Sequence, residues 1–244
     1  MPIKYNDFVI RFANVNGSGS ASANGMFAKA LFRMGIPVAT RNIFPSNIQG
    51  LPTWFEVRVN EQGYLGRREG VAIMVAMNAE TLVEDVASVS PGGYLLYDNS
   101  KPLAKTLRRD DVNEIGIPIA NMMLPEFADP KQRSLFKNIT YLGALAGLLN
   151  IEFEVITGMV ATQYKGKDAL IAPNIRALEI GRDYALRYLQ APLPLQVRRS
   201  DAVGDRIMMD GNDAAGLGAV FGGATVCAWY PITPSISVAE SFEN

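Results

Sequence analysis

Two periods of apolar residues take turns along the chain, one of two residues and one of three to four. Phe8-Val9-Ile10-Arg11-Phe12-Ala13 is a short β-rich run, and small and polar residues from Asn14 to Ser20 make a loop after it. From Ala21 to Met34 apolar residues return at Met26, Phe27, Ala30, Leu31 and Met34, which is helical spacing, and Gly35 is a stop signal. Thr53 to Asn60 alternates as a half-buried strand does, with Gln62-Gly63 turning it. Val71 to Met77 is a continuous apolar run, the pattern of a strand covered on both faces. Ala79 to Ser88 predicts a helix with Val83, Val86 and Ala87 inward. Pro91-Gly92-Gly93 predicts a turn into a strand from Tyr94 to Asp98, and Gly116 to Ile119 a weaker strand. Long helices are expected over Lys131–Asn150 and Lys167–Tyr188. This order predicts an α/β fold with a mostly parallel sheet and helices on its faces.

The pattern fades from Gln190. Ala191-Pro192-Leu193-Pro194 and the charged Arg198-Arg199-Ser200-Asp201 read as linker. The expected organisation is a first domain over 1–189, a linker over 190–209 and the beginning of a second domain over 210–244.

Three loops carry candidate chemistry. In parallel sheets ligands gather at the carboxyl ends of strands. There the first strand presents Gly17-Ser18-Gly19-Ser20, glycines that let the backbone come close to a ligand, followed by the free amides of a helix start. The loop lacks the third glycine of a dinucleotide fingerprint and the Lys-Ser/Thr of a P-loop, so contact with a phosphate and a merely tight turn both stand. The second loop, Phe44-Pro45-Ser46-Asn47-Ile48-Gln49-Gly50-Leu51-Pro52, holds polar residues between two prolines before a strand, where a ligand loop and a plain connection are both open. The third is Tyr230-Pro231-Ile232-Thr233-Pro234-Ser235. Each proline fixes its own φ and extends the residue before it, so the path through Thr233 has few conformations. Ser235 or Ser237 would cap a following helix, whose amides favour an anion such as a carboxylate; an ordinary strand-to-helix turn is the other reading.

Composition removes much chemistry. The 244 residues include no histidine, so Ser-His-Asp and Cys-His catalysis and imidazole proton transfer are excluded. The one cysteine, Cys227, sits in an apolar run and reads as a buried structural thiol; alone it cannot hold an iron–sulfur cluster. A net charge of −1 and paired rather than clustered arginines give no sign of nucleic-acid or membrane-surface binding. The polar start of the chain is no signal peptide, no apolar run reaches membrane-spanning length, and a reduced cytoplasmic setting is expected.

The same residues resemble a known family, the 2-oxoacid:ferredoxin (or flavodoxin) oxidoreductases. Val9-Ile10-Arg11-Phe12, Gly17-Ser18-Gly19 and Phe44 through Thr53 are similar to the family's Rossmann-like gamma domain. Gly211-Asn212-Asp213-Ala214 and the Tyr230–Ser235 turn are similar to the start of its alpha domain, on the thiamine-diphosphate pyrimidine side. Gamma before alpha on one chain resembles the large subunit of a 2-oxoglutarate-type enzyme. The resemblance implies CoA-dependent oxidative decarboxylation of a 2-oxoacid, 2-oxoglutarate favoured, to acyl-CoA and carbon dioxide, with electrons passed to ferredoxin or flavodoxin. It implies that Thr233 contacts the substrate, shaped by Tyr230, Pro231, Ile232 and Pro234. It makes Gly17, Ser18, Gly19, Ser20, Asn47, Gln49 and Gly50 the candidates for coenzyme A. Thiamine diphosphate, magnesium and the iron–sulfur cluster would lie on a partner beta subunit or in missing regions; no metal site is expected on this chain. The second domain breaks off early against the family pattern, so a fragment inactive alone is expected. A nucleotide- or CoA-binding module, or an assembly module, without redox chemistry is the alternative.

Overall fold

The computed structural model describes residues 2–15, 17–43, 52–232 and 235–243, which fall into two compact units, 1–204 and 205–244. Asn47, Gln49 and Gly50 of the second loop, and Thr233 and Pro234 of the third, lie outside the described residues.

The first unit begins with β1 (Lys4–Tyr5) and β2 (Asp7–Val15), then α1 (Ser20–Arg33), β3 (Val38–Ile43), β4 (Pro52–Asn60) and β5 (Val71–Ala76). There follow α2 (Leu82–Ser88), β6 (Val89–Asp98), β7 (Asn113–Ile117), α3 (Ile119–Met123), α4 (Pro130–Leu149), α5 (Phe153–Gln163), α6 (Ile171–Tyr188) and β8 (Leu195–Gln196). Six strands form one sheet in the order β3-β4-β2-β5-β6-β7. β2, β5, β6 and β7 run parallel, and β4 is antiparallel to both of its neighbours. The sheet is therefore mixed and mostly parallel, as the alternation predicts. β2 is central, and Ile10, Phe12 and Ala13 are fully buried along it. Phe12 packs edge-on against Phe27 of α1, with ring centroids 5.4 Å apart.

Helices α4 and α6 meet backbone to backbone. A Cβ on Gly143 would stand 2.0 Å from the Leu178 carbonyl oxygen, and one on Gly181 1.9 Å from that of Thr140. Only glycine permits that approach. Pro173 sits in the first turn of α6, where its missing N–H costs nothing.

Several expectations are corrected. Pro91-Gly92-Gly93 is no turn but part of β6, where the pairing with β5 slips between Val71–Val89 and Ile73–Tyr94. The glycines absorb that irregularity. The expected strand over Gly116–Ile119 ends at Ile117, because Pro118 cannot donate to the ladder and α3 starts behind it. The helix expected from Ala79 starts at Leu82, because Asn78 Oδ1 accepts the Glu80 amide at 3.0 Å and makes an Asx turn first. Val83 and Ala87, expected inward, are exposed, while Asp85 and Val86 are buried, Val86 packing in the apolar cluster with Val71, Met74 and Val89. β3 and α5 escaped prediction altogether; β3, with the polar Thr40-Arg41-Asn42, is an exposed edge without alternation.

Residues 190–204, expected as linker, are built into the first unit. β8 pairs in parallel with β1, Val197 is fully buried, and the Val197, Ser200 and Val203 amides donate to the carbonyls of Leu149, Met34 and Gly35. The Arg198 guanidinium stacks over the Tyr5 ring, and Arg199 pairs with Glu152.

The second unit holds α7 (Gly211–Phe221) and α8 (Ser235–Glu243). Asp210 caps α7 by accepting the Asn212 and Asp213 amides. Gly216 lies against the backbone of Val238 and Phe242. Neither serine caps α8 as expected. Ser235 Oγ donates towards the Tyr230 and Ile232 carbonyls at 2.7 and 2.6 Å, and Ser237 Oγ accepts from Asn212 Nδ2 at 2.7 Å. Cys227, expected to be buried, is half-buried, because the run that carries it is not covered within this unit. Phe221 is 84% exposed and Tyr230 76%.

Candidate functional site

The carboxyl ends of β2, β5, β6 and β7 share one edge of the sheet, and the site is built there. β2 ends at Val15, and Ser18 N closes a tight turn on the Val15 carbonyl at 3.2 Å. Gly17 and Gly19 have φ of 82° and 77°, left-handed values that other residues adopt at a cost. A Cβ at Gly19 would also meet Leu135 Cδ2 of α4 at 3.0 Å. The turn delivers the chain into α1 with Gly19 as N-cap, no side-chain cap and no acidic residue in the first turn. The helix start therefore keeps its amides and the positive end of its dipole unopposed by side chains.

The loop is held from behind by α4. Asn138 Nδ2 donates to the Ser18 carbonyl at 2.8 Å. One turn along, Tyr141 donates to Asn24 Oδ1 at 2.7 Å, and Asn24 Nδ2 donates to Asn14 Oδ1 at 3.2 Å. Burial pushes the Tyr141 hydroxyl well above the usual phenol range, with the Asn14 amide opposing, so it stays a neutral donor.

The neighbouring strand adds Asn78. The β2–β5 register runs to Ala13–Ala76, and Met77 N still donates to the Ala13 carbonyl, so Asn78 follows beside Val15. Asn78 is 4% exposed. Its Nδ2 and the Ser18 Oγ are buried without a hydrogen-bond partner among the described residues. Such orphans are costly, and a ligand that accepts hydrogen bonds would relieve them. On the next strand Asp98 is already committed, accepting the Ser100 and Ala120 amides at 3.0 and 3.1 Å.

Of the predicted residues, Gly17, Ser18, Gly19 and Ser20 come together in this loop, although Ser20 itself is buried. Pro52, the first described residue after the second loop, pairs across the sheet with Val15. Tyr230, Pro231 and Ile232 lie exposed in the second unit. Asn78, Asn138 and Tyr141 were missed. A polar residue straight after the apolar run Val71–Met77 was a readable signal for Asn78; nothing marks the other two within a helical pattern. Among the described residues no three metal-ligating side chains gather. A cavity of about 430 Å³ opens instead at the opposite, amino-terminal edge, between Phe8, Tyr94 and Pro194, and includes none of the predicted residues. Among the described residues, Ser18, Asn78 and the amides after Gly19 supply neutral donors, which can bind and orient a ligand.

The model of pyruvate ferredoxin/flavodoxin oxidoreductases matches residues 9–184, which include the whole loop edge. The chain belongs to that family. A solved 2-oxoglutarate:ferredoxin oxidoreductase from Magnetococcus marinus, with 2-oxoglutarate, coenzyme A and succinyl-CoA bound, is similar at 28% identity and a TM-score of 0.84, over 98% of this chain and 41% of that one. The alpha subunit of 2-oxoacid:ferredoxin oxidoreductase 2 from Aeropyrum pernix is 25% identical over 98% of this chain and 43% of its own length. The chain thus spans about two fifths of these relatives. The gamma subunit of a keto/oxoacid ferredoxin oxidoreductase from Geobacter sulfurreducens shares the fold, at 22% identity and a TM-score of 0.60, over 73% of this chain and 98% of that one. No helix among the described residues of this family member is long and apolar enough to cross a membrane.

Proposed function

We propose that this chain is part of the alpha subunit of a 2-oxoacid:ferredoxin oxidoreductase, a gamma domain followed by the beginning of the alpha domain, and that 2-oxoglutarate is its substrate. The observation that carries the reading is the likeness, over nearly the whole chain and at a TM-score of 0.84, to a family enzyme holding 2-oxoglutarate and coenzyme A. The loop edge fits coenzyme A. A phosphate or a pantetheine carbonyl accepts hydrogen bonds, and the edge offers Ser18 Oγ, Asn78 Nδ2 and the uncapped amides after Gly19. Gly17 and Gly19 allow backbone approach, and Asn47, Gln49 and Gly50 contribute further contacts. Thr233, framed by Tyr230, Pro231, Ile232 and Pro234, meets the 2-oxoacid carboxylate.

For thiamine diphosphate with its metal, no three metal-ligating side chains gather among the described residues, and one cysteine cannot hold an iron–sulfur cluster. Those groups belong to a beta subunit or to the rest of the alpha subunit, and the enzyme works in the cytoplasm as a hetero-oligomer. This chain's own residues hold coenzyme A and orient the 2-oxoacid. The test is electron transfer to ferredoxin by the alpha subunit assembled with its beta partner. Reduction that needs both 2-oxoglutarate and coenzyme A is expected, and Thr233→Ala lowers turnover with assembly intact. Ferredoxin reduction by no 2-oxoacid at all would overturn the reading.

A further inference from the structure

A carboxylate lies fully buried outside the loop edge and makes contacts that the binding role leaves unexplained. Asp85, in α2, is 0% exposed. Its Oδ1 accepts Trp54 Nε1 at 2.8 Å, and its Oδ2 accepts Thr81 Oγ1 at 2.7 Å. The two donors come from distant parts of the sequence. Trp54 lies in β4, two residues after Pro52; it pairs with Ile43 on one side and with Ala13 of β2 on the other. It therefore belongs to the last described rungs at this end of β3 and β4. Thr81 ends the turn that begins at Asn78, and its Oγ1 lies 3.4 Å from the Asn78 carbonyl. Trp54 also packs on the apolar cluster that includes Ala13, Met74, Ala76 and Val86, and Asp85 itself is closed off from solvent.

A buried ionisable group held only by neutral donors is an expensive way to fill space. Its geometry provides what an apolar residue cannot, two directed acceptors about one carbon. We propose that Asp85 is a positioning residue for the loop edge: it ties the start of β4, through Trp54, to the Asn78 turn, through Thr81, and fixes both beside the end of β2. The effect on coenzyme A rests on the function proposed above; the tie itself does not.

Two measurements separate those parts. The first is amide hydrogen exchange on the chain alone, comparing wild type with Asp85→Leu, which removes both acceptors, and with Trp54→Phe, which keeps an aromatic ring, although a smaller one, and removes the N–H. Faster exchange confined to 53–54 and 78–82 is expected in both, with β5 and β6 protected as before. Unchanged exchange there would overturn the proposal. Should Asp85→Leu fail to fold, Trp54→Phe alone decides in the same way.

The second is the KM for coenzyme A against kcat in the assembled enzyme. Trp54→Phe and Asp85→Leu raise KM about tenfold, the worth of a hydrogen bond to a charged group. They leave kcat at saturating coenzyme A near wild type. Asp85→Asn rescues both readouts, because the amide it introduces still accepts from Trp54 and donates to Thr81. An unmoved KM together with altered exchange would leave the tie in place and remove coenzyme A from this edge. A fall in kcat alone, or no rescue by Asp85→Asn, would contradict the positioning role.

Discussion

Single residues decide how the Gly17–Ser20 loop is presented. Gly19 combines a left-handed φ with a close neighbour in Leu135, so Gly19→Ala strains the backbone and forces the helix start to shift. The expected cost is about 1–2 kcal/mol of stability by urea melts, with coenzyme A affinity falling alongside. Tyr141→Phe strips the donor from buried Asn24 and should cost about 1–3 kcal/mol in the same melts, because the Asn24 Oδ1 is left without that donor while its Nδ2 keeps Asn14. Asp85 adds a dependence on pH. Burial raises its carboxyl above the ordinary value, with Glu84 adding to the rise and the Trp54 and Thr81 donors and Arg11 opposing. Protons are then bound more tightly folded than unfolded. Stability from this group falls as pH climbs from about 4, where the unfolded group ionises, through the raised folded value. Thermal melts across that window should show the wild type losing stability relative to Asp85→Asn; parallel curves would refute the assignment.

At the scale of elements, legibility followed periodicity. β2, α1, β4, β5, α4 and most of α6 were readable because their apolar spacing is long and regular, and Gly35 punctuates it. β3 was hidden because an exposed edge strand needs no alternation, and the glycine break in β6 was misread because a local irregularity and a turn use the same residues. The Gly17–Ser20 loop was legible from its glycines. Its support was not, since Asn138 and Tyr141 act from α4, over a hundred residues away in sequence, and spacing alone cannot foretell that contact. The α4–α6 contact gives a further test. Gly181→Ala drives a Cβ into the Thr140 carbonyl, and the helices must part. A loss of about 3 kcal/mol is expected from overpacking, read as a lower urea midpoint. An unchanged midpoint would mean that the backbones are not in contact.

On the scale of the whole molecule, the first unit needs residues that looked like linker. Leu193, Val197 and Val203 are buried in it, and β8 completes a small parallel sheet with β1. A chain cut after Gly204 should melt several degrees above one cut after Leu189, which loses those three side chains. Equal melting points would return 190–204 to the status of a tether. The proposed function puts coenzyme A at the carboxyl edge of the sheet, and not in the cavity beside Phe8 and Tyr94. Hydrogen exchange of the chain with and without saturating coenzyme A tests it most directly. The account predicts slower exchange at residues 17–22 and 78–81, joined by 47–50, and not elsewhere. Protection around Phe8 and Tyr94 instead, or at no described residue, would contradict it.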